Sequence, residues 1–177
     1  MIEVALHLYR IEQKTGIYMH LDIEPEPDGM LENTAEVVRF FYDYLLPMGR
    51  ESIASELGMS SIRADDLIKR YLTVCYDVCH FSLAYEEPYD TFQEFAASGI
   101  KVGKIQVSAA LKILFDGKNN ALVWDTLEKF NEPTYLHQVT EVKNGQVITY
   151  RDLPEVLQHK GDCKQLRAHF HVPIFLE

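Results

Sequence analysis

The chain has 177 residues, 47% hydrophobic and 25% charged, with a formal net charge of -10. That size and balance suit one globular domain with room for a core. The negative charge repels nucleic-acid backbones and anionic membranes, so the expected partner is a neutral small molecule, with no nucleic acid and no direct membrane insertion.

Ile2, Ala5, Leu6, Tyr9 and Ile11 recur near helical spacing and Gly16 follows, which predicts an opening helix with a C-terminal cap. Residues 17–24 then alternate: Ile17, Met19, Leu21 and Ile23 on one side, Tyr18, His20, Asp22 and Glu24 on the other. This predicts a first strand with an apolar face. Pro25, Pro27 and Gly29 stop it, leaving Glu24 at its C-terminal end, where α/β proteins keep their chemistry.

Asn33 followed by Glu36 reads as a capping box, and Val37, Phe40, Phe41, Tyr44 and Leu45 form the buried stripe of a helix expected to end at Pro47 and Gly49. A short helix over 60–70 leads into the apolar run 71–81, expected as a second strand carrying Asp77 and His80. Asp90 and Gln93 suggest a second capping box for a helix closing on Gly99, and residues 101–108 form a third strand with Gln106 and Ser108 on one side. This alternation of strand and helix argues a parallel sheet with helices outside it, in a barrel or an open doubly wound form.

Later, a helix is expected over 119–130. Asn144-Gly145 lies between two strand-like runs, marking a β-hairpin inserted near residues 134–152. Pro154 and Gly161 bracket a short helix, and a last strand over 167–175 carries His169 and His171 on one side. Cys75, Cys79 and Cys163 make an odd count in no disulfide pattern and are expected as packed, reduced thiols. No apolar run reaches the ~18 residues of a membrane span, and the N-terminus lacks the basic start of a signal peptide, so a cytoplasmic location is expected.

Glu24, Asp77, His80, Gln106, His169 and His171 fall at or near strand ends, and His137 lies in the first run of the hairpin. Carboxylates and imidazoles delivered by successive strands suit Mn²⁺, Mg²⁺, Fe²⁺ or Zn²⁺. Burying Asp77 and His80 in an apolar run costs several kcal/mol unless they are paired or ligating, roughly as for other buried polar groups. Each residue also has an ordinary reading: Glu24 as a loop carboxylate capping amides, His169 and His171 as satisfied core histidines.

Asp22-Ile-Glu-Pro-Glu-Pro-Asp-Gly-Met-Leu-Glu32, Tyr76-Asp-Val-Cys-His-Phe81, Gly103-Lys-Ile-Gln-Val-Ser-Ala-Ala-Leu-Lys112, Leu136-His-Gln-Val and His169-Phe-His-Val-Pro-Ile-Phe175 are the motifs of a family resemblance. Over nearly its whole length the chain resembles the EboE metabolite traffic proteins. These are a branch of the xylose-isomerase-like TIM-barrel superfamily of sugar isomerases, sugar epimerases and type IV apurinic endonucleases. The resemblance implies an α/β fold, a partial (β/α) barrel spanning 1–177 as one domain, with the hairpin as its insertion. A whole barrel needs ~250 residues, so the chain is expected to be a C-terminal-side portion that self-associates through its open edges.

By the same resemblance, Glu24 and Asp77 match the first two metal ligands, with Gln106 where the family has a histidine, and His80 matches a substrate-contacting histidine. The family's last ligand would lie beyond Glu177. The expected site thus has Glu24, Asp77, Gln106 and His171 at a divalent metal, and His80, His137 and His169 positioning substrate or moving protons. The implied reaction is isomerisation or epimerisation of a sugar- or polyol-like metabolite. The alternative is a trafficking module that binds without turnover, to which the neutral amide of Gln106, a weak ligand, points. The net charge disfavours a nuclease.

Overall fold

In the computed structural model, which describes residues 1–134, 136–161 and 163–170, a parallel sheet of three strands precedes an antiparallel sheet of four. The first part of the chain supplies α1 (Ile2–Thr15), β1 (Leu21–Ile23), α2 (Thr34–Arg39), α3 (Leu46–Leu57), α4 (Ser61–Tyr71), β2 (Leu72–Asp77), α5 (Val78–Leu83), α6 (Pro88–Ala97) and β3 (Val102–Gln106). A π-helical turn, Phe40–Leu45, joins α2 to α3. The second part supplies β4 (Ala110–Leu114), α7 (Asn120–Glu128), β5 (Val139–Lys143), β6 (Gln146–Tyr150), α8 (Leu153–His159) and β7 (Gln165–His169). The fold is mixed α/β, and no closed barrel forms among the described residues.

The parallel sheet has the order β1-β2-β3, with Leu21 opposite Leu72 and Asp77 opposite Gln106. Every residue of central β2 is buried. Its two faces differ. Leu72, Val74 and Tyr76 pack with Ala5, Phe41, Ile53, Ile68 and Phe95 into the helix-side core, each large apolar side chain contributing about 1.5–3 kcal/mol by leaving water. Thr73, Cys75 and Asp77, alternating with them, form the polar face. That face lines up with His20, Asp22, Lys104 and Gln106.

Several expectations need correction. The first strand spans Leu21–Ile23 only, and Ile17, Met19 and Leu21 of its apolar face are exposed. Residue 21 already pairs with Leu72, the first residue of β2, so residues before it face the end of α4 and have no ladder partner. The run over 71–81 switches from strand to helix after Asp77, placing His80 on α5. The switch is local. Asp77 Oδ1 accepts hydrogen bonds from the N–H groups of Cys79 (2.8 Å) and His80 (3.3 Å), a side-chain cap that starts a helix.

Pro47 does not end a helix. It occupies the first turn of α3, where a missing N–H costs little. Gly49 lets α3 approach the side chains of Ile2 and Ile68 more closely than a Cβ permits. The wider π turn rotates Tyr44 out to solvent while Val37, Phe41 and Leu45 stay buried. α6 begins at Pro88 with Glu87 as its cap, ahead of the expected Asp90.

The antiparallel sheet has the order β4-β7-β5-β6. Its hairpin turns at Asn144 (φ 53°) and Gly145 (φ 78°), as two left-handed residues require. It pairs onward with β7, so the hairpin belongs to a sheet that also contains β4, a strand the sequence reading did not anticipate. Trp124, Leu127, Val139, Leu153, Val156, Leu166 and Ala168 form a second core beneath it. Among the described residues, no helix is long and apolar enough to cross a membrane.

Candidate functional site

The C-terminal ends of the three parallel strands meet at one polar cluster. Glu24 follows β1, Asp77 ends β2, Gln106 ends β3, and His80 rises from the first turn of α5. One donor atom each from Glu24, Asp77 and His80 lies within 4.8 Å of the others. Asp77 and His80 are buried, while the Glu24 side chain is 36% exposed, so the cluster opens to solvent on the Glu24 side.

Asp77 is saturated on one oxygen. Oδ1 caps α5 and also accepts from the Ser108 hydroxyl, and Ser108 Oγ in turn accepts from the Cys79 N–H at 2.8 Å. Burial pushes the Asp77 carboxyl up. The Ser108 hydroxyl, the charge of His80 and the N–H groups of His80 and Cys79 outweigh it, holding the group below the usual carboxylate range. Oδ2 is left for Gln106, whose Nε2 donates to it at 2.5 Å and to Glu24 Oε1 at 3.3 Å. Lys104 Nζ donates to Gln106 Oε1 at 2.8 Å, which fixes the amide with its NH₂ toward the carboxylates and its oxygen away.

His80 Nδ1–H donates to the Pro25 carbonyl at 3.0 Å, with Glu24 Oε1 at 3.7 Å. A carbonyl only accepts, so Nδ1 carries the hydrogen and the neutral ring keeps its lone pair on Nε2. His169, the last residue of β7, brings a second imidazole beside it, with ring centroids 5.3 Å apart. His137 is placed elsewhere. Its ring stacks on Phe170 at 4.2 Å, Nδ1–H donates to the His169 carbonyl at 3.2 Å, and Nε2 faces Glu132 at 3.2 Å. It fastens the chain before β5 to β7. His171 lies outside the described residues.

Further along the same face, Thr73 Oγ1 donates to Asp22 Oδ1 at 2.6 Å, and His20 Nδ1 lies 3.0 Å from both. Asp22 and His20 are therefore satisfied within the sheet, as ordinary structural residues. Cys75, between the two clusters, is pushed up to about 11, chiefly by burial, and is no nucleophile.

The donors fit a divalent ion in type. They are two carboxylates and an imidazole from three segments. The His80 nitrogen beside Glu24 is Nδ1, whose hydrogen the Pro25 carbonyl takes, so ligation there requires that hydrogen bond to give way. Lys104 and the Pro25 carbonyl complete the site and were missed by sequence reasoning, which set Ser108 beside Gln106 without giving it a role. The same alternation along β3 is the signal that would have found Lys104. No family model, curated protein or solved structure matches the chain.

Proposed function

We propose that this chain is a partial barrel of the xylose-isomerase-like type that binds a sugar- or polyol-like metabolite, with a divalent cation, at the Glu24–Asp77–His80 cluster. The observation that carries the reading is the convergence of those three donors within 4.8 Å at the C-terminal ends of parallel strands. Parallel order, helices on one face and polar groups on the other support it.

The ion would be held by Glu24, Asp77 and His80 and, when bound, polarises a substrate carbonyl or hydroxyl. The protein's own groups do the rest. Asp77, fixed by its cap and Ser108, holds its second oxygen in place, where the Gln106 amide donates to it. The Pro25 carbonyl sets the His80 tautomer, and His169 adds an imidazole for orienting a hydroxyl or moving a proton beside a carbonyl. The reaction class is isomerisation or epimerisation.

One observation favours a second reading, a metabolite-binding module without turnover. The Gln106 amide already bridges Glu24 and Asp77, and Lys104 locks it there, so a protein donor stands where a cation would. Elemental analysis after incubation with Mn²⁺ or Zn²⁺ separates the two. Stoichiometric metal, lost in the Glu24→Gln/Asp77→Asn double variant, is the expected result. Equal metal in both proteins, or none in either, sinks the metal-dependent reading and leaves the binding module.

A further inference from the structure

A cavity of about 440 Å³ lies between the antiparallel sheet and α8, with Trp124, Glu141, Lys143, Tyr150 and Val156 in its wall. That volume is in the range of small-molecule pockets. Its elements are β5, β6, β7, α7 and α8, none of which holds Glu24, Asp77 or His80.

Glu141 breaks the pattern of its sheet. Across the ladder it pairs with Leu166, which pairs with Ile113, and both belong to the apolar face covered by α7 and α8. A carboxylate planted on that face is costly unless something answers it. Its side chain is only 7% exposed. Two groups approach it, both at the same oxygen: the Tyr150 hydroxyl donates to Oε1 at 2.6 Å, and Lys143 Nζ lies 3.7 Å from Oε1. Neither contact reaches Oε2, although a carboxylate has about four acceptor positions.

The other walls narrow the ligand's chemistry. Trp124 and Val156 offer an apolar surface, and an indole face is the best aromatic partner for a cation. Glu141 and Glu155 outnumber Lys143 among the full charges lining the cavity. The hydrogen bond to Glu141, helped by burial, pushes the Tyr150 hydroxyl up to about 12, so it remains a donor that fixes the carboxylate. Lys143 is 64% exposed along its side chain and free to swing outward.

We propose that this cavity is a binding site for a small organic ammonium ion, whose charged head meets Glu141 Oε2 while its apolar body lies against Trp124 and Val156. Lys143 acts as the internal cation that the ligand displaces. This site is independent of the Glu24–Asp77–His80 cluster.

Trp124 is the only tryptophan in the chain, so tryptophan emission, excited apart from the tyrosines, reports on this cavity. The test is a titration of the full chain with n-hexylammonium, n-hexanol and n-hexanoate, following Trp124 emission. A saturable change with hexylammonium, much weaker with the alcohol and absent with the acid, is expected. Glu141→Gln, which keeps the Tyr150 contact, should weaken it by about tenfold or more, as loss of a charged hydrogen bond implies. Lys143→Met should tighten it, because the internal competitor is gone, whereas a purely structural Glu141–Lys143 pair predicts no gain. Equal response to hexanol and hexylammonium, no effect of Glu141→Gln, or no tightening in Lys143→Met overturns the proposal. The Glu24→Gln/Asp77→Asn variant is expected to bind hexylammonium normally.

Discussion

Asp77 carries two duties with its two oxygens. Oδ1 caps α5 and takes the Ser108 hydroxyl, and Oδ2 accepts from the Gln106 amide. Replacement by Asn keeps a good cap and removes the charge. Replacement by Ala strands the His80 N–H and the Ser108 hydroxyl, and leaves the Cys79 N–H only Ser108 Oγ and the Gln106 amide only Glu24. Denaturant unfolding should therefore show a loss of about 1 kcal/mol for Asp77→Asn and about 3 kcal/mol for Asp77→Ala; equal losses would show that the cap contributes nothing. The sign of the pH effect follows from the lowered folded pKa. The stabilisation is present above the unfolded carboxylate value of ~3.9 and is lost as pH falls through the lower folded value. Asp77→Asn should flatten that acid limb of the stability curve and leave the neutral region parallel to wild type. The sequence pointed to Glu24 because prolines follow it, to Asp77 because a carboxylate in an apolar run needs a partner, and to Gln106 by its side of the third strand. It did not reveal that Gln106 would be a donor, because that depends on Lys104, two residues away on the same side and bonded to the amide oxygen.

At the scale of elements, legibility follows the range of the cause. The Asn33 cap, the Asn144-Gly145 turn and the third strand depend on neighbours in sequence, and all three form. The shortness of β1 depends on where partner elements stop, which no window of residues contains. The bulge between β2 and β3 is such a case. Val74 pairs with Val102 and Cys75 with Lys104, which leaves Gly103 unpaired. A Cβ there would come closer than 3.0 Å to side-chain atoms of Asp22, Thr73 and His20. Absence of a side chain is what lets that hydrogen-bonded trio fill the space beneath the bulge. Gly103→Ala should therefore cost about 1–3 kcal/mol, the usual range for overpacking. Its urea midpoint should recover partly when Asp22 is also reduced to alanine, because the two sites share one contact. A midpoint unchanged from wild type in the single variant would mean that the trio moves aside freely.

The molecule as a whole has two hydrophobic cores, one between the parallel sheet and its helices, the other beneath the antiparallel sheet. What joins them is polar and is concentrated on the short helix α5 and the loops around it. Thr140 Oγ1 donates to the Leu83 carbonyl at 2.8 Å, the Tyr85 hydroxyl donates to the Thr140 carbonyl at 3.3 Å, and the Arg167 guanidinium donates to the Ser82 carbonyl while lying 4.0 Å over the Tyr85 ring. Gln138 Nε2 adds a bond to the Pro27 carbonyl at 3.1 Å, close in sequence to Glu24. Buried bonds of this kind are worth about 1 kcal/mol each net, but stranding one partner costs up to about 3 kcal/mol, so removing a few should uncouple the cores before either melts alone. Trp124, in the second core, and far-UV circular dichroism, dominated by the helices around the first, read the two separately. In wild type the two unfolding curves should coincide, as one cooperative unit requires. In Thr140→Val/Arg167→Met the Trp124 transition should move to lower denaturant than the helical signal. Because α5 also carries His80, the metal-dependent reading proposed above further expects the same variant to hold metal less tightly at the Glu24–Asp77–His80 cluster. Coincident curves in the double variant would show instead that apolar packing alone joins the cores.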